Sequence, residues 1–264
     1  MKFLAATALA TSIIFLAGGP AKAADCAADN VTRVATDDEC LVIKVFGQPA
    51  KKTRLLIFIH GDGSRGGASD YLYPLAGSFA ADGVVSVGLI RPGYYDSENN
   101  HSTGFSYRSE GDGYRPEIID AVAQAVKVLK AHYNAGHVVL VGHSGGAAIS
   151  GVITGKYPGL VNAALLGACP CNVPDWRMRR RGRNNWGFSL SPHDFVDAVH
   201  EGTRIIAMTG SDDSNTYPDL ARAHVKSLAA RGIDARYIVV PEASHNGVAR
   251  SGEFKSAIKQ LLAP

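Results

Sequence analysis

After its first 23 positions the 264-residue sequence has no apolar run long enough to cross a bilayer, so a protein that spans the membrane in its body is not expected. It has little excess of either charge. Lys and Arg number 27 against 24 Asp and Glu, and a formal net charge of +3 gives no footprint for bulk nucleic-acid binding. Its four cysteines lack the paired Cys/His spacing of metal sites, so no zinc centre is expected. Internal repeats and low-complexity segments are missing too.

What is present begins with Met1-Lys2, an apolar run from Phe3 to Gly19, and then Pro20-Ala21-Lys22-Ala23. A charged start, apolar middle and small-x-small end are the order of a secretory signal peptide, with cleavage expected after Ala23 and a periplasmic or secreted destination. Losing Lys2 and Lys22 would leave the remainder near +1, with no membrane attachment expected. The remaining residues, 24–264, suit one large domain rather than two full ones. In an oxidising compartment the cysteines can form two local disulfides. Cys26 with Cys40 would staple the N-terminal segment, and Cys169 with Cys171 would close a tight loop through Pro170.

Apolar runs rich in branched residues recur at Leu41 to Phe46, Leu55 to Ile59, Val84 to Ile90, Val138 to Val141, Ala163 to Leu166, Ile205 to Met208 and Tyr237 to Val240. Near-continuous runs of this kind are strands covered on both faces. Helical patterns lie between them. From Pro116 to Tyr133, apolar residues recur every three or four positions behind a proline at the helix start, and further patterns cover Pro218 to Ala230 and Phe254 to Leu262. Alternation of this sort predicts an α/β fold, a mostly parallel twisted sheet with helices on both faces, whose ligands bind at the carboxyl ends of the strands. Two long irregular stretches remain, Pro92 to Arg115 and Pro170 to Thr203, and loops of that length are often binding loops or lids.

The chemistry-bearing residues follow strand ends. Val138 to Val141 runs into Gly142-His143-Ser144-Gly145-Gly146 and then into the small-residue pattern Ala147-Ala148-Ile149-Ser150-Gly151. Gly-x-Ser-x-Gly between a buried strand and a helix is the context of a nucleophile elbow, a sharp turn that lifts the serine above the sheet and aims helix amides at the reacting centre. A hydroxyl needs a base to take its proton and an acid to orient that base, expected in the order Ser, Asp or Glu, His. Gly210-Ser211-Asp212-Asp213 and Pro241-Glu242-Ala243-Ser244-His245 each follow a strand in that order. His245 is the candidate base, and Asp213 or Asp212 the candidate acid.

With these motifs the chain resembles the α/β-hydrolase superfamily, most of all its prolyl-oligopeptidase and dienelactone-hydrolase branches. The resemblance implies the α/β-hydrolase fold over nearly all of residues 24–264. It favours Asp213 through the Gly-x-x-Asp turn, with Asp212 as the alternative acid. It also assigns the oxyanion hole to the backbone N–H groups of Gly145 and of Asp62 in His60-Gly61-Asp62-Gly63, with the Asp62 carboxylate turned away and His60 bracing the loop. The turn from Arg91 to Ser97 is similar to a Pro-Gly-x-x-x-Ser turn of the superfamily. The family places its cap where residues 170–203 lie, and this stretch has room for a small lid only.

Within that stretch Arg177, Arg179, Arg180, Arg181 and Arg183 put five arginines in seven residues, either a solvated loop or a site for an anionic substrate or acidic surface. Trp176, Trp186 and Tyr94 are candidates to line a substrate pocket. The chemistry needs no metal or organic cofactor. The favoured reading is a carboxylic-ester hydrolase acting on a small ester. A serine peptidase cutting short peptides is the alternative, placed second because that branch usually carries a further propeller or cap. A non-catalytic binding protein on the same fold is a distant third, since it would be expected to have lost part of this constellation.

Overall fold

The computed structural model describes residues 26–63, 66–106 and 113–263, so the expected signal peptide lies outside the described residues. Eight strands form one sheet: β1 (Arg33–Ala35), β2 (Cys40–Phe46), β3 (Thr53–Ile59), β4 (Val84–Leu89), β5 (Ala135–His143), β6 (Ala163–Gly167), β7 (Arg204–Gly210) and β8 (Ala235–Val240). Their order is β1-β2-β4-β3-β5-β6-β7-β8. β2 runs antiparallel to both β1 and β4, and every later pairing is parallel. Among the described residues six α-helices flank it: α1 (Tyr73–Gly77), α2 (Pro116–His132), α3 (Gly145–Lys156), α4 (Val173–Arg181), α5 (Pro218–Ala230) and α6 (Gly252–Leu262).

Alternation along the central strands sends side chains to two cores. Leu55 and Ile57 of β3 and Leu140 of β5 join the apolar faces of α2, α3 and α5, while Leu56, Phe58, Val139 and Val141 pack against α1 and α6. Each buried Leu or Ile contributes about 1.5–3 kcal/mol, and this double-sided burial is why these runs read as continuously apolar. α2 and α6 are amphipathic because one face meets solvent. α3 is not: residues from Gly145 to Gly155 are all buried, so only small and branched side chains fit between the sheet and its neighbours.

The expected strands and the three patterned helices are present, with boundaries shifted by a few residues at most. Three elements lay below the sequence signal. β1 is three residues long, too short to show alternation, α1 spans five residues, and α4 occupies the stretch expected to hold a lid. Both cysteine pairs are bonded, Cys26 to Cys40 tying the first described residue to the start of β2, and Cys169 to Cys171 just beyond β6. Among the described residues, no helix is long and apolar enough to cross a membrane.

Candidate active site

The carboxyl ends of β3, β5, β7 and β8 converge at one point, where crossover connections leave room for a ligand. Ser144 sits there between β5 and α3 with φ 55° and ψ −119°, a conformation that costs a non-glycine residue about 1–3 kcal/mol. Neighbouring hydrogen bonds hold it. Its N–H donates to the Gly167 carbonyl at 2.8 Å, and its own carbonyl accepts from Ala147 at 2.9 Å. The flanking glycines allow chains to pass closely: a Cβ on Gly142 would lie 2.4 Å from the Gly146 oxygen, and one on Gly146 would lie 2.0 Å from the Ile59 oxygen.

The structure brings three of the expected residues into one hydrogen-bonded line. Ser144 Oγ lies 2.9 Å from His245 Nε2, and His245 Nδ1 lies 3.0 Å from Asp213 Oδ2. Asp213 Oδ2 also accepts the Thr216 hydroxyl at 2.7 Å, and its Oδ1 accepts the amides of Asn215 and Thr216 at 2.8 and 2.9 Å. Burial by itself would raise the Asp213 carboxyl. The hydrogen bond and charge of His245, with the Thr216 bonds, outweigh it and hold the carboxyl below its ordinary value. Asp212 is placed otherwise: it is exposed, with Oδ1 accepting the neighbouring Ser211 hydroxyl at 2.9 Å.

Gly145 opens α3, so its amide is one of those a helix leaves without an internal partner. Asp62 follows β3 across the site. Its carboxylate departs from the expectation that it turns away: Oδ1 lies so near Gly145 that a Cβ there would come within 2.2 Å of it. The reason is Arg91, fully buried at the end of β4, which needs an anion in reach. Arg91 donates through Nη2 to Asp62 Oδ1 at 2.9 Å and through Nη1 to the His60 carbonyl at 2.9 Å, while the Tyr114 hydroxyl donates to Asp62 Oδ2 at 2.7 Å. His60 accepts the Arg91 amide at Nε2, 3.0 Å away, and its Nδ1 donates to the Gly61 carbonyl. Burial, then the Arg91 charge, keeps this ring neutral, its pKa well below the ordinary histidine value.

Two residues that sequence reasoning passed over join the loops around the site. The Tyr71 hydroxyl accepts the Gly61 amide at 2.7 Å and donates to His143 Nδ1 at 2.8 Å, which leaves His143 Nε2–H to donate to the His245 carbonyl at 3.0 Å. Burial first, then the nearby His245, lowers His143 to about 4, consistent with a neutral ring in this relay. The x position of Gly-x-Ser-x-Gly was a signal for His143. Nothing local pointed to Tyr71, which meets it across 72 residues of chain.

A cleft of about 910 Å³ opens over Ser144 and His245, walled by Gly61, Tyr71 and, from α4, Trp176. Of the three aromatic candidates only Trp176 reaches this wall. Tyr94 is packed edge-on against His60 and beside Arg91, and Trp186 stands behind Trp176 against Tyr114, because burying their rings in the layer below is what holds the wall in place.

Residues 97–263 match the prolyl oligopeptidase family along their length. The chain belongs to the prolyl oligopeptidase family. A relative from Sus scrofa, the acylamino-acid-releasing enzyme, is 24% identical over an alignment of 168 positions that covers 54% of this chain and 23% of that enzyme. The chain thus spans about a quarter of that relative. Among solved structures, an esterase of Pyrococcus furiosus, Pf2001, is 15% identical with a TM-score of 0.66, over 88% of this chain and 90% of that one. Est1E from Butyrivibrio proteoclasticus, bound to ferulic acid, is 15% identical with a TM-score of 0.63, over 87% of this chain and 96% of that one. An acylaminoacyl peptidase of Pyrococcus horikoshii is 13% identical with the same TM-score over 87% of this chain but 41% of that one. The fold is the α/β-hydrolase fold.

Proposed function

We propose that the protein is an exported carboxylic-ester hydrolase in which Ser144 is the nucleophile, His245 the base and Asp213 the orienting acid. The observation that carries this reading is the unbroken line of hydrogen bonds from Ser144 Oγ through His245 to Asp213, at the floor of an open cleft. As Ser144 attacks the substrate carbonyl, its hydroxyl proton passes to His245 Nε2, and Asp213 stabilises the imidazolium through Nδ1–H. The new C–O bond places negative charge on the former carbonyl oxygen, which the amides of Gly145 and Asp62 receive, each donor commonly contributing about a hundredfold or more in rate. His245 returns the proton to the departing alcohol as its bond to carbon breaks. Water, activated by the same ring, then releases the acid and restores Ser144.

Residues 24–264 form the hydrolase domain in this reading, with 170–203 as a small lid on the cleft. Export rests on the charged, apolar and small-residue order of residues 1–23, and both disulfides fit an oxidising compartment. Ester hydrolysis is supported by the likeness in fold to the two esterases. A second reading, cleavage of acylated or short peptides, is favoured by the sequence match to the acylamino-acid-releasing enzyme.

A fluorophosphonate probe is expected to label the protein, and Ser144→Ala to abolish both labelling and turnover. Labelling of the variant at the wild-type level would sink the assignment. Rates on p-nitrophenyl esters beside aminoacyl and acylaminoacyl anilides separate the two readings, and faster anilide cleavage would replace the first with the second.

A further inference from the structure

The arginine run of residues 177–183 is divided by helical phase. Arg177, Arg180 and Arg181 stand three and four positions apart on α4 and all reach the cleft over Ser144. Arg179 lies on the other side, where it forks onto Asp175 at 2.9 and 2.8 Å and meets Asp219 at 2.7 Å. Its charge is thereby matched, whereas Arg180 and Arg181 are exposed and form no ion pair among the described residues. Arg177 is buried against the Trp186 ring at 4.1 Å, with Asn185 accepting from it at 2.6 Å, which fixes the base of this face.

The opposite side of the mouth is cationic as well. Arg250, at the end of the 3-10 turn Val248–Arg250, and Lys255 of α6 also line the cleft, and neither forms an ion pair among the described residues. The Arg250 charge is close enough to act on His143 beside the nucleophile. Against these cations the described cleft wall offers one acidic side chain, Asp62, whose charge is held by Arg91 beneath the floor. In a chain of net charge only +3, such a concentration at one mouth is a local field. Fields of one sign in a cleft raise the local concentration of ligands of the other and orient them.

We infer that this hydrolase takes an anionic ester, with a carboxylate or comparable negative group on the acyl or leaving portion seated between the α4 arginines and the Arg250–Lys255 side of the cleft. This rests on the hydrolase reading of Ser144 and adds the substrate class. The exposed cations select at the mouth, and the reacting bond lies below at Ser144 and His245.

The test compares matched esters at low ionic strength. Mono-p-nitrophenyl succinate is set against p-nitrophenyl butyrate for the acyl side, and 4-carboxyphenyl acetate against phenyl acetate for the leaving side. For one pair the anionic member is expected to have a kcat/KM about tenfold higher, relative to intrinsic base hydrolysis, the order of two partly exposed ion contacts. That ratio is expected to shrink in 0.5 M salt and in the double variants Arg180→Gln/Arg181→Gln and Arg250→Gln/Lys255→Gln. Arg179→Gln is expected to keep it. Equal rates within both pairs, or a preference untouched by both double variants, overturns the anionic-substrate inference while fluorophosphonate labelling of Ser144 still stands. Absence of labelling overturns the hydrolase reading itself, and the inference with it.

Discussion

At the scale of single residues, two adjacent carboxylates have separate fates. Asp213 accepts four hydrogen bonds and faces His245, while Asp212 looks outward from the same turn. Asp213→Asn is therefore expected to cut kcat by orders of magnitude and Asp212→Asn to change it by less than about twofold, read as steady-state rates on p-nitrophenyl butyrate. The reverse ranking would move the acid to Asp212. In the proposed mechanism Tyr71 acts through other residues: its hydroxyl joins the loop carrying Asp62 to His143, whose ring supports the His245 carbonyl. Tyr71→Phe leaves the Gly61 N–H without its acceptor, a cost of about 1–3 kcal/mol. Kinetics should show kcat falling about tenfold with KM little changed, and a loss confined to the melting temperature would make Tyr71 merely structural. Gly-x-Ser-x-Gly and the order of His245 after the aspartates were legible residue by residue, whereas Tyr71 and Arg91 act through partners far off in sequence.

At the scale of elements, the strand ends are kept apart and aligned by short-range devices. Arg91, after β4, ties together the loop after β3 by bonding both the His60 carbonyl and the Asp62 carboxylate. Replacing it by methionine leaves a partly buried carboxylate with the Tyr114 hydroxyl still donating to it, and losing one member of a buried pair typically costs about 3–5 kcal/mol. Arg91→Met should lower the denaturant midpoint accordingly without changing the slope, as chemical unfolding would report; a midpoint unchanged from wild type would show the pair to be dispensable. The strands and long helices were legible because periodicity follows burial, two-sided for β3 to β7 and one-sided for α2, α5 and α6. α4 was not, since its mean composition is polar and its place depends on Trp176 and Arg177 packing inward.

Over the whole molecule, buried histidines contribute to how folding responds to acid, and besides His60 two of them, His143 and His224, are lowered to about 4. Among the described residues neither ring nitrogen of His224 on α5 has a hydrogen-bond partner, and burial first, then the charge of His193, lowers it to about 4; His143 is lowered to about 4 as well. The unfolded chain binds protons at these sites near 6.5 and the folded chain does not, so their contribution is fully present above 6.5 and is lost as pH falls towards 4. The loss is on the order of 3 kcal/mol for each ring. Melting temperatures measured from pH 7 to 4.5 should decline, and His224→Leu should flatten that decline; an equal slope in the variant would rule out His224 as a cause. The parallel sheet, the turn at Ser144 and the chain order of the residues around it were legible in the amino-acid pattern, because strand burial and tight turns leave local signals. That Asp213 rather than Asp212 faces His245, that Asp62 pairs with Arg91, and that one face of the arginine run turns onto the cleft emerged with the folded arrangement. Those outcomes depend on which side of a turn or helix meets a distant strand, and neighbours in sequence do not encode that.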